Sequence, residues 1–253
     1  MTTLNNPHLP QSNVTSVLCG NINYSAENEL KSLGIEIIKI RELPHIESAL
    51  NMHTDLAVCP LPGDTILIQP SQSFLKDKLI SYGYSVIMAK REAFSPYPTD
   101  CDLNFVYTCN YYIGSKNIYS DVVVKDFKVI ITKQGYSKCS VAPVSENAII
   151  TDDTTIAKGA SEKGIDVCLV EKGDICLNGY HYGFIGGTCG KLSNDIIAFN
   201  GNLNSHRDCD KIRSFLRNWN VYPLNLSNTQ LNDIGSIIPI SQKKGFADHE
   251  KDE

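Results

Sequence analysis

Lys133 to Asp153, KQGYSKCSVAPVSENAIITDD, reads as two short extended runs joined by a turn, with Cys139 near the start of the first. A second stretch, Met52 to Pro70, MHTDLAVCPLPGDTILIQP, has the same build and carries His53-x-Asp55 where the first has its cysteine. A nucleophile on one strand and a histidine–acid pair on a sister strand meet the needs of a thiol-based hydrolase or transferase. The same layout also suits the core of a repeat protein.

Outward from these two hairpins, the chain repeats itself. SVLCGNINYSAENELKSLGIEIIKI predicts a helix with Ser25 as N-cap and Glu27 and Glu29 in its first turn, a stop at Gly34, and a strand over Ile35–Ile40. A short helical turn is expected near Pro44–Leu50, ahead of the His53 hairpin. PSQSFLKDKLISYG is a helix ending at Gly83, YSVIMA a strand, and CDLNFVYTCNYYIG a further extended pair. Then follow a short helical SDVVVKDF, the strand KVIITK and the Cys139 hairpin. DTTIAKGASEKG, IDVCLVE and YGFIGGTCGKLSNDIIAFNG make the next copy. SHRDCDKIRSFLRN, with Ser205 and Asp208 at capping-box spacing and Ile212, Phe215, Leu216 and Trp219 on one face, opens the last, closed by VYPLNL and DIGSIIPI.

Helix, strand and hairpin thus recur about five times with a period of roughly 40–50 residues, a repeat-architecture spacing. So few repeats remove their exposed edges by closing into a ring. The expected fold is a single five-fold pseudosymmetric α/β propeller over residues 16–240, strands inside and helices outside. Residues 1–15 are expected to be a disordered lead-in and 241–253 a disordered polar tail. A doubly wound α/β domain is the alternative; paired extended runs after each helix favour the ring.

Composition narrows the function. With 42% apolar and 20% charged residues, the chain buries a core. A net charge of -5 argues against nucleic acid and anionic membrane surfaces as partners. No apolar run approaches the roughly 18 residues of a membrane span, and the polar N-terminus does not read as a signal peptide. Nine irregularly spaced cysteines read as reduced thiols in a cytoplasmic protein, with neither zinc nor another metal or cofactor expected. A small molecule is the expected partner, and oligomeric state is not legible.

A five-fold ring of ββαβ units resembles the guanidino-group-modifying superfamily, which holds arginine deiminases, dimethylarginine hydrolases and agmatine deiminases. MHTDLAVCPLPGDTILIQP is similar to its catalytic His-x-Asp strand, which maps those roles to His53 and Asp55. YSKCSVAPVSENAIITDD is similar to its closing strand, whose cysteine is the nucleophile, mapping to Cys139 at a spacing close to that of the smaller members. The family's cysteine normally sits near the C-terminus, whereas here two further repeats follow it. LNDIGSIIPI and SVLCGNINYSAENELKSLG are similar to the units that normally precede the histidine, so the chain resembles a circular permutation of the ring cut between them. The whole sequence also resembles an uncharacterised bacterial family assigned to this fold.

One departure bears on substrate. YGFIGGTCGKL aligns with the strand that supplies the family's carboxylate clamp, placing Gly186 and Gly187 at the acid positions. Burying a guanidinium without a charge partner is costly. Asp233, or Asp102 beside Asn104, could stand in. The resemblance therefore implies cysteine-dependent hydrolysis or transfer at a C–N bond of a guanidine- or amidine-like molecule, through a covalent Cys139 intermediate with His53 as general acid/base. The alternative is a non-catalytic ring that keeps the fold and binds or senses a small molecule.

Each residue also has a plainer reading. Cys139 could be a core thiol, His53 a satisfied core histidine, and Asp233 a cap before Gly235. The glycines of FIGGTCG could make a tight bend, and Tyr111 and Tyr112 could be packing. His206 reads as the first helical residue after its cap. Strand alternation puts Ser137, Cys139 and Val141 on one face and Lys138 on the other, and puts His53 and Asp55 together.

Overall fold

A computed structural model of the chain describes residues 1–116 and 128–244. The expected helical turn at SDVVVKDF and the polar tail from residue 245 onward lie outside the described residues.

In chain order the elements are β1 (Val14–Cys19), α1 (Tyr24–Ser32), β2 (Glu36–Lys39), α2 (Thr54–Ala57), β3 (Val58–Leu61), β4 (Thr65–Ile68), α3 (Lys76–Tyr82) and β5 (Ser85–Met88). Next come β6 (Val106–Thr108), β7 (Tyr111–Gly114), β8 (Lys128–Ile131), β9 (Val141–Ser145), β10 (Ala148–Thr151), α4 (Thr154–Ser161) and β11 (Asp166–Leu169). The chain continues with β12 (Cys189–Lys191), β13 (Ile196–Phe199), α5 (Cys209–Asn218), β14 (Tyr222–Asn225) and β15 (Ile238–Gln242).

These strands form five three-stranded sheets of one topology: β15-β1-β2, β3-β4-β5, β6-β7-β8, β9-β10-β11 and β12-β13-β14. In each, the first strand is antiparallel to the second and the second parallel to the third. Antiparallel neighbours need only a tight turn, whereas a parallel neighbour needs a crossover. Helices supply that crossover in the first, second, fourth and fifth sheets. The first sheet joins both ends of the fold, because β15 returns to pair with β1.

Burial is graded across each sheet. The first strands β3, β6 and β15 are buried at every residue, and β9 at all but its last. The third strands β2, β5, β8, β11 and β14 expose much of their length. Apolar side chains from helices and neighbouring sheets fill the spaces between, as where Ile212 and Leu216 of α5 meet Ile150, Phe199 and Val221. Phe215 and Trp219 pack partly against the same cluster, the face expected from their helical spacing.

Several local expectations are corrected. Asn23, not Ser25, caps α1, its side chain accepting from the Ala26 N–H at 2.8 Å. Residues 44–50 form hydrogen-bonded turns rather than a helix. Ser205 ends a separate 3₁₀ turn, Leu203–Ser205, and α5 starts at Cys209. Asp208 makes no cap bond because its carboxylate accepts from the Glu171 N–H at 2.7 Å. His206 accordingly closes the 3₁₀ turn and is buried, its Nδ1 accepting from the Asp208 N–H.

The lead-in is tied down: Thr2 pairs with Gln242, and Leu4, His8 and Leu9 are buried. At the other end, Ser241 and Gln242 belong to β15. All nine cysteines are free thiols. Among the described residues, no helix is long and apolar enough to cross a membrane.

At α4, the Asp153 carboxylate accepts from the Thr155 and Ile156 N–H groups, at 2.8 and 2.9 Å, two donors that the helix cannot satisfy itself. Asp153→Ala is expected to cost about 1 kcal/mol of stability, read as a lower urea midpoint with unchanged slope.

Candidate active site

The segment just ahead of each first strand turns tightly into the middle of the fold, and these five segments carry the candidate residues. His53 and Asp55 lead into β3, Asn104 into β6, Cys139 into β9, Gly186 and Gly187 into β12, and Asp233 and Ser236 into β15. This corrects the strand geometry expected for the pair and the thiol. His53 is the N-cap of α2, Asp55 lies in its single turn, and Cys139 sits in a turn whose Ser140 N–H donates to Tyr136 O. Strand alternation therefore does not govern where Lys138 points. Its ammonium donates to Ser236 Oγ at 2.8 Å and reaches Val141 O at 3.5 Å.

Asp55 is the hub. Its Oδ2 accepts from Cys139 Sγ and from Ser236 Oγ, each at 2.9 Å, and its Oδ1 accepts from Asn104 Nδ2 at 2.9 Å. Asn104 also fixes the cysteine turn, its Oδ1 accepting from the N–H groups of Lys138 and Cys139 at 2.8 and 3.2 Å. Asn104 Nδ2 lies 3.4 Å from the thiol. Ser236 holds φ at 76°, which is unusual outside glycine, and so lodges its hydroxyl between Lys138, Asp55 and Gly186 O.

His53 Nδ1 lies 4.0 Å from Cys139 Sγ and 3.8 Å from Asp233 Oδ1. Both distances exceed close hydrogen bonds, a spacing that catalytic groups commonly show before substrate draws them together. Asp233 is held by the backbone, accepting from the N–H groups of Phe184 and Gly235 at 2.9 and 3.0 Å.

The glycines explain how Asp233 fits. A Cβ on Gly187 would lie 1.9 Å from Asp233 Oδ1, so the carboxylate of Asp233 occupies the space that a side chain at 187 would take. A Cβ on Gly186 would meet Val141 O at 2.3 Å, and the Gly187 N–H donates to Cys139 O at 2.8 Å. These glycines form the floor beneath the cysteine turn. Asp102 is placed differently. It pairs with Arg91 at 2.8 Å and lines no part of the cavity over Cys139.

Electrostatics follow from burial. Burial pushes the Cys139 thiol well up, and the fields of Asp55 and Asp233 add to it. Burial lowers His53, with Asp55 opposing. Burial raises Asp55, against the pull of His53 and Lys138, and lifts Asp233 to about 6 despite its two backbone donors. The resting thiol is therefore protonated and hydrogen-bonded to Asp55, beside a neutral imidazole.

A cavity of about 240 Å³ opens over Cys139, His53 and Asp233, walled by Tyr136, Tyr180, Tyr182 and Phe184. A smaller space of about 140 Å³ lies on the other side of His53 and Asp233, edged by Asn21, Asn51, Asn178 and Asn232. His53 Nδ1, Cys139 Sγ and an Asp233 carboxylate oxygen lie within 4.8 Å of one another, a donor set that could also take a thiophilic cation. Sequence reasoning missed Ser236, the Lys138 ammonium and the aromatic wall. The YHYGF run at 180–184 was the legible signal for the last.

The fold is that of enzymes that modify guanidino groups. An inosamine-phosphate amidinotransferase from Streptomyces griseus superposes with a TM-score of 0.56 at 11% identity, covering 97% of this chain and 98% of that one. An amidinotransferase of saxitoxin biosynthesis from Microseira wollei gives 0.55 at 11% identity, covering 94% and 98%. An agmatine deiminase from C. jejuni gives 0.52 at 8% identity, covering 87% and 90%. The chain itself belongs to the family of unknown function DUF6873, whose model matches residues 17–238. Comparison with curated protein sequences finds no significant match.

Asp233 provides a test by pH. Its carboxyl, near 6 when folded against 3.8 ordinarily, binds a proton more tightly in the native state. The stability it contributes is present at low pH and lost as pH rises from about 4 through about 6. The unfolding free energy of wild type relative to Asp233→Asn is expected to fall by on the order of 3 kcal/mol across that window. Denaturant titrations from pH 4 to 7 check it, and a flat or rising difference contradicts the assignment.

Proposed function

We propose that the protein acts on a C–N bond of a guanidine- or amidine-like small molecule, with Cys139 as nucleophile and His53 as general acid/base. The observation that carries this reading is the meeting of thiol, imidazole and Asp233 carboxylate at the floor of one cavity.

The resting thiol is too basic to ionise alone, since burial and two carboxylates oppose it. A cationic amidinium lying against Asp233 reverses that balance, because it pairs with that carboxylate, offsets the field of Asp55 behind the thiol, and stabilises a thiolate beside it. The Cys139 proton passes to His53, and the sulfur bonds to the amidino carbon. As the C–N bond to the departing amine breaks, His53 returns that proton to its nitrogen, leaving a thiouronium on Cys139. A water molecule, or a second amine, then gives its proton to His53 and attacks the same carbon. The C–S bond breaks, and the proton returns to sulfur. Water makes the overall reaction a hydrolysis and an amine makes it a group transfer; either balances. Asn104 and Ser236 position Asp55, and Gly187 makes room for Asp233.

We further infer that the five sheets close into a propeller-like ring, the pairing of β15 with β1 forming its seam. That places the chain ends between the two strands that would be continuous in an uncut ring, a circular permutation that leaves the cysteine in mid-chain.

The test is labelling by 2-chloroacetamidine, followed by peptide mass spectrometry, in which the exposed Cys176 serves as the ordinary thiol. Cys139 is expected to alkylate faster than Cys176 despite its burial. His53→Ala is expected to slow Cys139 by roughly 10²-fold or more and shift its pH profile. Labelling of Cys139 no faster than Cys176, and unchanged by the His53 substitution, would favour a binding protein that has kept the fold without the chemistry.

A further inference from the structure

Resting on the amidine-directed reading, we infer that the substrate carries an apolar, carboxylate-free substituent, an aryl or alkyl group that occupies the aromatic chamber over Cys139. The argument starts from what the chamber can recognise. Ten residues line it, and none is lysine or arginine. Its floor is His53, Cys139 and Asp233, which the amidino group itself engages. Its walls are the rings of Tyr136, Tyr180, Tyr182 and Phe184, completed by Leu50 and Leu177, with the exposed His181 as the tenth residue.

Two of the three phenol hydroxyls, those of Tyr136 and Tyr180, are already committed. Tyr136 donates to Asp100 and Tyr180 donates to Glu47, so neither proton is available to a substrate acceptor. Those two carboxylates also stand behind the wall and repel any anion placed within it. The rings are held by one another: Phe184 lies 6.1 Å from Tyr182, edge to face, and 6.4 Å from Tyr136. The Lys172 ammonium is stacked over the Tyr182 and Phe184 rings at 5.8 and 5.7 Å, outside the lining, and that of Lys138 is held by Ser236.

A substrate carboxylate placed here would shed its water and find no lysine or arginine in the lining, only the exposed His181 imidazole, a substantial penalty. An ammonium would also lose hydration, and the Asp100 and Glu47 carboxylates lie outside the lining and already accept from Tyr136 and Tyr180. An alkyl or aryl group meets ring faces and two leucines, which reward it by area. The chamber thus sorts substrates by their tail, while the Asp233 carboxylate at its floor reads the amidino head common to all of them.

Titration calorimetry on Cys139→Ser with N-pentylguanidine, 4-guanidinobutanoate and agmatine separates the alternatives, because the three share a guanidinium and differ in the tail. N-pentylguanidine is expected to bind roughly ten-fold or more tighter than the acid, and tighter than agmatine. Tyr182→Ala, at the half-exposed rim, is expected to shrink that preference, with thermal melting as the check that the variant is folded. Equal or tighter binding of the acid overturns the inference, as does tighter binding of agmatine.

Chloroacetamidine labelling of the wild type reads the chemistry separately. Labelling that singles out Cys139 while the acid wins retains the chemistry and rejects the chamber's role. A preference for N-pentylguanidine without selective labelling retains the chamber and rejects the chemistry.

Discussion

A buried carboxylate must be paid for by partners, and Asp55 draws its partners from three other segments. Cys139, Asn104 and Ser236 donate to it from the segments ahead of β9, β6 and β15, while Asp55 itself lies ahead of β3. Its backbone N–H is held by Gly235 O at 2.9 Å. One group thereby fastens four sheets where they converge, and the fifth comes within reach through Gly186 O, 2.9 Å from Ser236 Oγ and an alternative acceptor for its single proton. Losing any donor would leave buried charge uncompensated, so the geometry at the thiol and the stability of the middle of the fold are one requirement.

The same arrangement sets the chemistry of the resting site. Two carboxylates and a neutral imidazole surround a protonated thiol, with the Lys138 ammonium held by Ser236. Such a site is short of positive charge where a cationic amidino group would lie. In the proposed reaction the substrate's own charge would complete the electrostatics, coupling ionisation of Cys139 to occupancy.

Exchange of position between an acid and a glycine recurs as a theme. The Asp233 carboxylate, from the segment ahead of β15, fills volume beside Gly187 that only glycine leaves open. Gly235, at φ 69°, has the same role on the far side, since a Cβ there would lie 2.5 Å from His53 Cα. Small residues around the thiol are therefore space for neighbouring functional groups rather than slack in the chain.

The sequence alone determined the repeat: apolar runs of strand length, helices bounded by Gly34, Gly83 and Gly164, and hairpins at a steady period are local signals, set by backbone propensity and burial. The resemblance to guanidino-modifying enzymes, carried by the His-x-Asp and cysteine runs, also singled out Cys139, His53 and Asp55, with Asp233, or Asp102 beside Asn104, as stand-ins for an acid clamp. Only the tertiary structure decided their geometry. His53 and Cys139 occupy tight turns before the strands, where alternation does not apply, and Asp102 is held by Arg91 away from the cavity. The hydroxyl of Ser236 and the aromatic wall over the thiol were invisible for the same reason: each depends on contacts between residues far apart in the chain, which no local pattern encodes.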